Sequence, residues 1–241
     1  MIVVFTEAVF PYHVGLLSIC VIMKRLFFFL LLLTTAWSGE ITSATAQIKV
    51  ACVGNSITYG YGIEGRDSLS YPARLQQMLG SKFIVHNYGV SGRTLLKKGD
   101  HPYWKESAFQ QARDWQPNIV IIMLGTNDTK AWNWKYSEEF ESDYRDLLKA
   151  FKALPSPPMI WAALPVPVFQ TKYGIRDSVL KLEIPMIKKA ARKEGAHVLN
   201  LYKAMKPYGK DFFDGVHPDK TGAYFLARAV LDGIRSYRPP R

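Results

Sequence analysis

Ser56 stands just past the apolar run Val50-Ala51-Cys52-Val53, at the tip of a Gly54-Asn55 turn. A serine hydroxyl is a weak nucleophile until an imidazole takes its proton, and the imidazole needs an acceptor that fixes its tautomer. Asp214-Gly215-Val216-His217 supplies both groups, at a spacing that lets one turn bring the carboxylate beneath Nδ1 and aim Nε2 outward. Attack on an ester places negative charge on the carbonyl oxygen, so donors must wait there. The candidates are the backbone N–H of Ser56, the backbone N–H of Gly92 and the side-chain amide of Asn127. Each piece also has a plainer reading: Ser56 as a helix cap, Gly125-Thr126-Asn127-Asp128 as a turn, Asp214 to Pro218 as a turn that opens a helix.

The sequence predicts strands at 48–53, 83–88, 119–124, 159–164 and 197–201, short β-branched or continuous apolar runs bounded by turn residues. Helical spacing is found at 71–79, 106–115, 140–154 and 179–194, with Ser137 as the N-cap of the third and a kink or break expected at Pro185 in the fourth. Asp219 is placed to cap a last helix with a stripe of Ala223, Leu226, Ala227, Val230, Leu231 and Ile234. Strand and helix alternate five times, which predicts an α/β, three-layer α/β/α domain with a five-stranded parallel sheet. Right-handed crossovers bring every strand's C-terminal end to one edge. The loops after strands one, two, three and five carry Ser56, Gly92, Asn127 and the Asp214–His217 pair, so the chemistry converges there.

The chain of 241 residues is long enough for one such domain. Its first stretch is apolar but interrupted by Glu7, Pro11, His13, Lys24 and Arg25, unlike a clean membrane span. From Met23 a basic pair, an apolar run at 26–33 and Ala44-Thr45-Ala46 follow in the order of a secretory signal peptide. The expectation is a start at Met23, an over-read at 1–22, cleavage after Ala46 and an exported domain over 47–241 without stable membrane insertion. An uncleaved anchor is the rival, and a lipoprotein start at Cys20 is disfavoured by the bulky Ile19. The net charge of +11 would suit acidic partners, but the basic residues are scattered, which argues for a solvated surface rather than nucleic-acid binding. Past Ala46 only Cys52 remains, which excludes an intrachain disulfide and, inside an apolar strand, a reactive thiol.

The motifs together resemble the SGNH hydrolase superfamily of GDSL-type esterases. The resemblance runs from Ile48 to about Tyr237 through Gly54-Asn55-Ser56-Ile57-Thr58, Asn87 to Gly92, Gly125-Thr126-Asn127-Asp128 and Asp214-Gly215-Val216-His217-Pro218. It implies a flavodoxin-like fold, Ser56 as nucleophile, His217 as base, Asp214 as its orienter, and Gly92 and Asn127 completing the oxyanion hole with Ser56. With every role filled by protein groups, no metal or cofactor is expected. Asn55 departs from the aspartate usual at that position, keeping its size and an acceptor oxygen but not its charge. Asp128 is either a second carboxylate of the site or a support of its loop, and His86 and His101 lack partners at metal-ligand spacing.

The run from Gly54 to Ile63 looks like secreted carbohydrate acetylesterases, among them sialate O-acetylesterases and acetylxylan esterases. Trp104, Trp132 and Trp134 lie on loops at the same edge, either as platforms for sugar faces or as packed anchors. Deacetylation of a glycan such as sialic acid or xylan is therefore the favoured reading. A lysophospholipase or thioesterase with the same triad is the first alternative, and a non-catalytic glycan-binding protein on a hydrolase fold is the second.

Overall fold

Ile119–Met123 is a run without a polar side chain, and it forms the central strand of the sheet, covered on both faces. The computed structural model describes residues 46–236. Met23, Cys20, the 26–33 run, Thr45 and Tyr237 lie outside the described residues. The elements used below are β1 (Ile48–Gly54), α1 (Ser56–Tyr59), α2 (Tyr71–Leu79), β2 (Phe83–Gly89), α3 (Ser107–Asp114) and β3 (Ile119–Met123). They are followed by α4 (Phe140–Lys152), β4 (Met159–Ala163), α5 (Asp177–Glu194), β5 (His197–Leu199) and α6 (Lys220–Ser236).

All four strand pairings are parallel, in the order β2-β1-β3-β4-β5. Cys52 on β1 faces Asn87 on β2 and Ile121 on β3, and Ile121 in turn faces Trp161 on β4. From β1 the chain winds outward to β2, then returns to β3 on the other side. A crevice therefore opens beyond the carboxyl ends of β1 and β3, the place where ligands bind in open α/β sheets.

Alternation along the strands divides the core. Ala51, Val53, Val120 and Ile122 pack with Phe109 of α3, Phe140, Tyr144 and Leu148 of α4, and Leu180 and Ile187 of α5. Val50, Cys52, Ile121 and Met123 pack with Tyr71 and Leu75 of α2 and with Leu226 and Val230 of α6. Burial pushes the Cys52 thiol up to about 12, against a hydrogen bond with Tyr71 that works the other way, so the thiolate is not available.

Three boundaries differ from the sequence expectation. α5 continues through Pro185 as one helix, with Pro185 and Lys181, whose carbonyl the missing N–H leaves without its helical donor, both exposed residues. The last strand stops at Leu199, since the Asn200 side chain accepts from Lys203 N at 3.1 Å and caps a helix at Leu201–Met205. Ser137 begins a 3₁₀ turn at Ser137–Glu139 rather than capping α4, which starts at Phe140. Asp219 does cap α6, its Oδ1 accepting from Thr221 N at 2.7 Å and Gly222 N at 2.9 Å.

Candidate active site

β1 ends at Gly54, where a Cβ would collide with Thr58 and approach the Met123 carbonyl to 2.8 Å. Glycine is needed there for the chain to turn tightly between β1 and β3. Asn55 then caps α1, accepting from Ile57 N at 3.1 Å, and Ser56 is the first residue of that short helix. The cap that the plainer reading gave to Ser56 is thus made by its neighbour, the uncharged Asn55. As a first-turn residue, Ser56 has no intrahelical partner for its N–H.

Ser56 Oγ lies 2.9 Å from His217 Nε2, and His217 Nδ1 lies 2.8 Å from Asp214 Oδ2. The other carboxylate oxygen accepts from Val216 N at 2.9 Å and His217 N at 2.7 Å. Burial works against the Asp214 charge, but the His217 side chain and these two backbone donors outweigh it and hold the carboxyl below its usual range. An ionised Asp214 requires the proton on Nδ1, which leaves Nε2 to accept from the Ser56 hydroxyl. All three residues are buried, and Ser56 and His217 line the cavity described below.

The opposite wall is built by the loops after β2 and β3. Asn127 Nδ2 donates to the Arg93 carbonyl at 3.0 Å, which ties the two loops together and leaves the amide a second N–H. Asn133 Nδ2 donates to the Asn127 carbonyl at 2.9 Å. Asp128 accepts from Leu95 N at 3.0 Å and Leu96 N at 2.7 Å, so its carboxylate braces the loops and does not face the reacting atoms. Gly92 sits at φ +81°, a conformation that favours glycine, with no protein atom within 4 Å of where a Cβ would stand. The space beside it belongs to the pocket.

Residues 52–224 match the model of the GDSL-like Lipase/Acylhydrolase family. The chain belongs to this family. An acetylxylan esterase of Xylanibacter ruminicola is 39% identical over 207 residues, covering 78% of this chain and 43% of that protein. A multidomain esterase of Ruminococcus flavefaciens is 22% identical over 235 residues, covering 82% of this chain and 30% of that protein. The chain thus spans less than half the length of these relatives. A carbohydrate acetylesterase from Sinorhizobium meliloti shares the fold, with a TM-score of 0.66 at 18% identity over 79% of this chain and 99% of that one.

In this GDSL-family site, Ser56, Gly92, Asn127 and His217 line one open cavity of about 220 Å³ together with Tyr61, Ser91, Lys130, Tyr173 and Ile175. The tryptophans singled out by sequence do not line it. Trp104 is half-buried, its Nε1 donating to the Leu95 carbonyl at 2.8 Å and its ring edge-on to Phe109. Trp134 packs edge-on to Phe140 in the core. Trp132 is exposed, but its indole N–H donates to Asp100 Oδ2 at 2.9 Å and its ring backs Gly174. Trp104 and Trp134 are packed anchors of the loops, whereas Trp132 keeps an exposed ring and is tied down by its indole N–H. Exposed Tyr61 and Tyr173 and the Lys130 side chain are what sequence reading missed.

Among the described residues, no group of three or more His, Cys, Asp or Glu side chains could hold a metal ion. His86 instead stacks on Trp115 at 4.0 Å between centroids. Also among the described residues, no helix is long and apolar enough to cross a membrane.

A second carboxylate lies under the Asn127 loop. Glu183 of α5 is fully buried, its oxygens have no hydrogen-bond partner, and Oε2 comes within 2.6 Å of a Cβ built on Gly125. It was legible as an oddity, a glutamate on a stripe that otherwise holds Val179, Leu180, Ile187 and Ala190. Burial, and then the neighbouring Asp128, push its carboxyl well above the usual range. Asp128 is itself pushed up to about 7 by burial, against its backbone donors. A raised native pKa gives stability that is complete below the unfolded value of about 4 and is lost as pH rises through the native one. Glu183→Gln cannot ionise, so its thermal midpoint should gain on that of the parent between pH 5 and pH 9. Each kcal/mol of avoided charge burial is worth roughly 2–4 °C. Parallel midpoint-against-pH curves for the two proteins would show that the Glu183 carboxyl is not raised in the folded state, whereas a Glu183 neutral throughout gives curves that diverge over the whole range.

Proposed function

We propose that this chain is an exported serine ester hydrolase that removes O-acetyl groups from a carbohydrate, acetylated xylan foremost. The hydrogen-bonded chain from Ser56 through His217 to Asp214, opening into a cavity that Asn127 and Gly92 also line, is the observation that carries the reading. Ser56 Oγ attacks the acetyl carbonyl while its proton passes to His217 Nε2. The resulting oxyanion is met by the N–H groups of Ser56 and Gly92 and by the free N–H of Asn127. Collapse breaks the bond to the sugar oxygen, which leaves with the proton from His217, and acetyl-Ser56 remains. Water then gives a proton to His217 and attacks the acetyl carbon, releasing acetate and restoring the serine.

Acetate as the acyl group is supported by the size of the cavity. At about 220 Å³ it falls below the roughly 300–1,000 Å³ of sites that enclose a drug-sized ligand. The acetylxylan esterase relative supports the choice of sugar, and the signal-like segment from Met23 supports export. The test expresses the full chain with its leader and assays exported material on acetylated xylan and on p-nitrophenyl esters from acetate to octanoate. Release of acetate from xylan is expected, with rates falling about tenfold or more for each methylene that has no room, and an N-terminus at Gln47. Rates that rise toward octanoate would support the lipolytic alternative instead, an inert protein that retains xylan the binding-module alternative, and an N-terminus upstream of residue 34 an anchor.

A further inference from the structure

The imidazole that has taken the Ser56 proton must give it to the oxygen of the departing alcohol, so that oxygen comes within hydrogen-bond reach of His217 Nε2. Whatever carries the oxygen then lies against the side chains that surround the imidazole. Three aromatic rings do so: Tyr61 at 4.7 Å between centroids, Tyr173 at 5.9 Å and Phe213 at 6.1 Å. They expose 44%, 48% and 51% of their surface, which makes a cluster of open apolar faces around one catalytic group.

Each ring is held in place by its backbone. Tyr61 N donates to the Ser56 carbonyl at 2.9 Å, so the nucleophile's own turn places it. Tyr173 adopts φ +55°, unfavourable for a bulky side chain, and keeps it inside a turn closed by Ile175 N donating to the Lys172 carbonyl at 2.9 Å. Next to it Gly174 lies at φ +75°, and a Cβ there would stand 3.1 Å from the Trp132 ring. Phe213 rests on Gly62, where a Cβ would collide with its ring. Strain and close backbone contact are thus spent on presenting three exposed rings, which packing alone does not explain.

We propose that Tyr61, Tyr173 and Phe213 form the platform that receives the sugar ring of the leaving alcohol and so set the substrate class as acetate esters of cyclic carbohydrates. The proposal rests on the esterase reading of this site. The C–H faces of a pyranose ring are apolar and flat enough to lie on aromatic faces, while its hydroxyls remain at the rim, within reach of the two phenols, of Lys130 and of water. A flexible fatty alcohol would gain less from three open rings than from an enclosed groove.

The test compares kcat and KM of the parent, Tyr61→Ala, Tyr173→Ala, Phe213→Ala and the Tyr61→Phe and Tyr173→Phe variants on an acetylated xylo-oligosaccharide and on ethyl acetate. Ethyl acetate offers the same acyl group on an alcohol without a ring. Each alanine variant is expected to lose roughly tenfold in kcat/KM on the sugar ester, mainly through KM, and severalfold less on ethyl acetate. The phenylalanine variants keep the ring and should retain most of the sugar selectivity. Equal losses on both esters would overturn the platform and make these residues mere supports of the triad, as would alanine variants that match the parent on the sugar ester. A parent that hydrolyses ethyl acetate but not the sugar ester would overturn the glycan reading itself, and the platform with it.

Discussion

Ser56→Ala and His217→Ala are each expected to lower turnover by about a million-fold, and the double variant by hardly more. The reason is in the geometry: Ser56 Oγ and His217 Nε2 share one proton across 2.9 Å, so removing either leaves the other without a task. What activity survives belongs to the oxyanion donors and to binding. Asp214→Asn should cost about ten-thousand-fold through a different cause. Its Oδ1 can still accept from Val216 N and His217 N, but an amide Nδ2 would face His217 Nδ1 and make that nitrogen the acceptor. The ring proton then sits on Nε2, where it blocks the transfer from Ser56. Turnover of an acetate ester, with the thermal midpoint of each variant as a folding control, checks the series. Losses that multiply in the Ser56/His217 double variant, or an Asp214→Asn protein near parental activity, would mean that the three residues do not act as one relay.

The convergence of Ser56, His217 and Asp214 could be read in the sequence because they sit immediately after strands or within one turn, where position along the chain fixes position in space. Ser56 follows β1 by two residues, and the Asp214–His217 spacing folds on itself. The same holds for the sheet, whose strands are short apolar runs that admit few other conformations. Tyr61 and Tyr173 were invisible for the opposite reason. Their approach to His217 depends on loop turns with left-handed residues, Gly62 at φ +79° and Tyr173 at φ +55°, that no periodicity announces. For the tryptophans the sequence left platform and anchor open, because aromatic content near an edge says nothing of which way a ring turns. Trp104 and Trp134 pack against the core, and Trp132 stays exposed with its ring beside Gly174. Of the kink or break expected at Pro185 the break does not occur, which sequence could not settle because the cost of a helical proline depends on its tertiary surroundings.

Asn127→Ala is expected to lower turnover by about two to three orders of magnitude while changing KM little, as removal of one donor to a developing oxyanion does. The structure adds a second consequence. The Asn127 amide also donates to the Arg93 carbonyl at 3.0 Å, so alanine unties the Gly92 loop from the Asn127 loop. Loss of such a bond costs about 1 kcal/mol, which should appear as a drop of a few degrees in the thermal midpoint, far too small to account for the loss in rate. Asn127→Asp separates the two roles. A carboxylate oxygen would face the Arg93 carbonyl where a donor stood, and the other oxygen would face the charge that forms on the substrate. Both contacts turn repulsive, so aspartate should be no better than alanine in turnover and worse in stability. If Asn127 served only to shape the turn at Gly125 to Asp128, the aspartate variant would fold and work nearly as well as the parent, because aspartate favours turns as readily as asparagine. Measured turnover and midpoint for both variants decide the matter, and a fully active Asn127→Asp protein would leave the oxyanion to the Ser56 and Gly92 backbone alone.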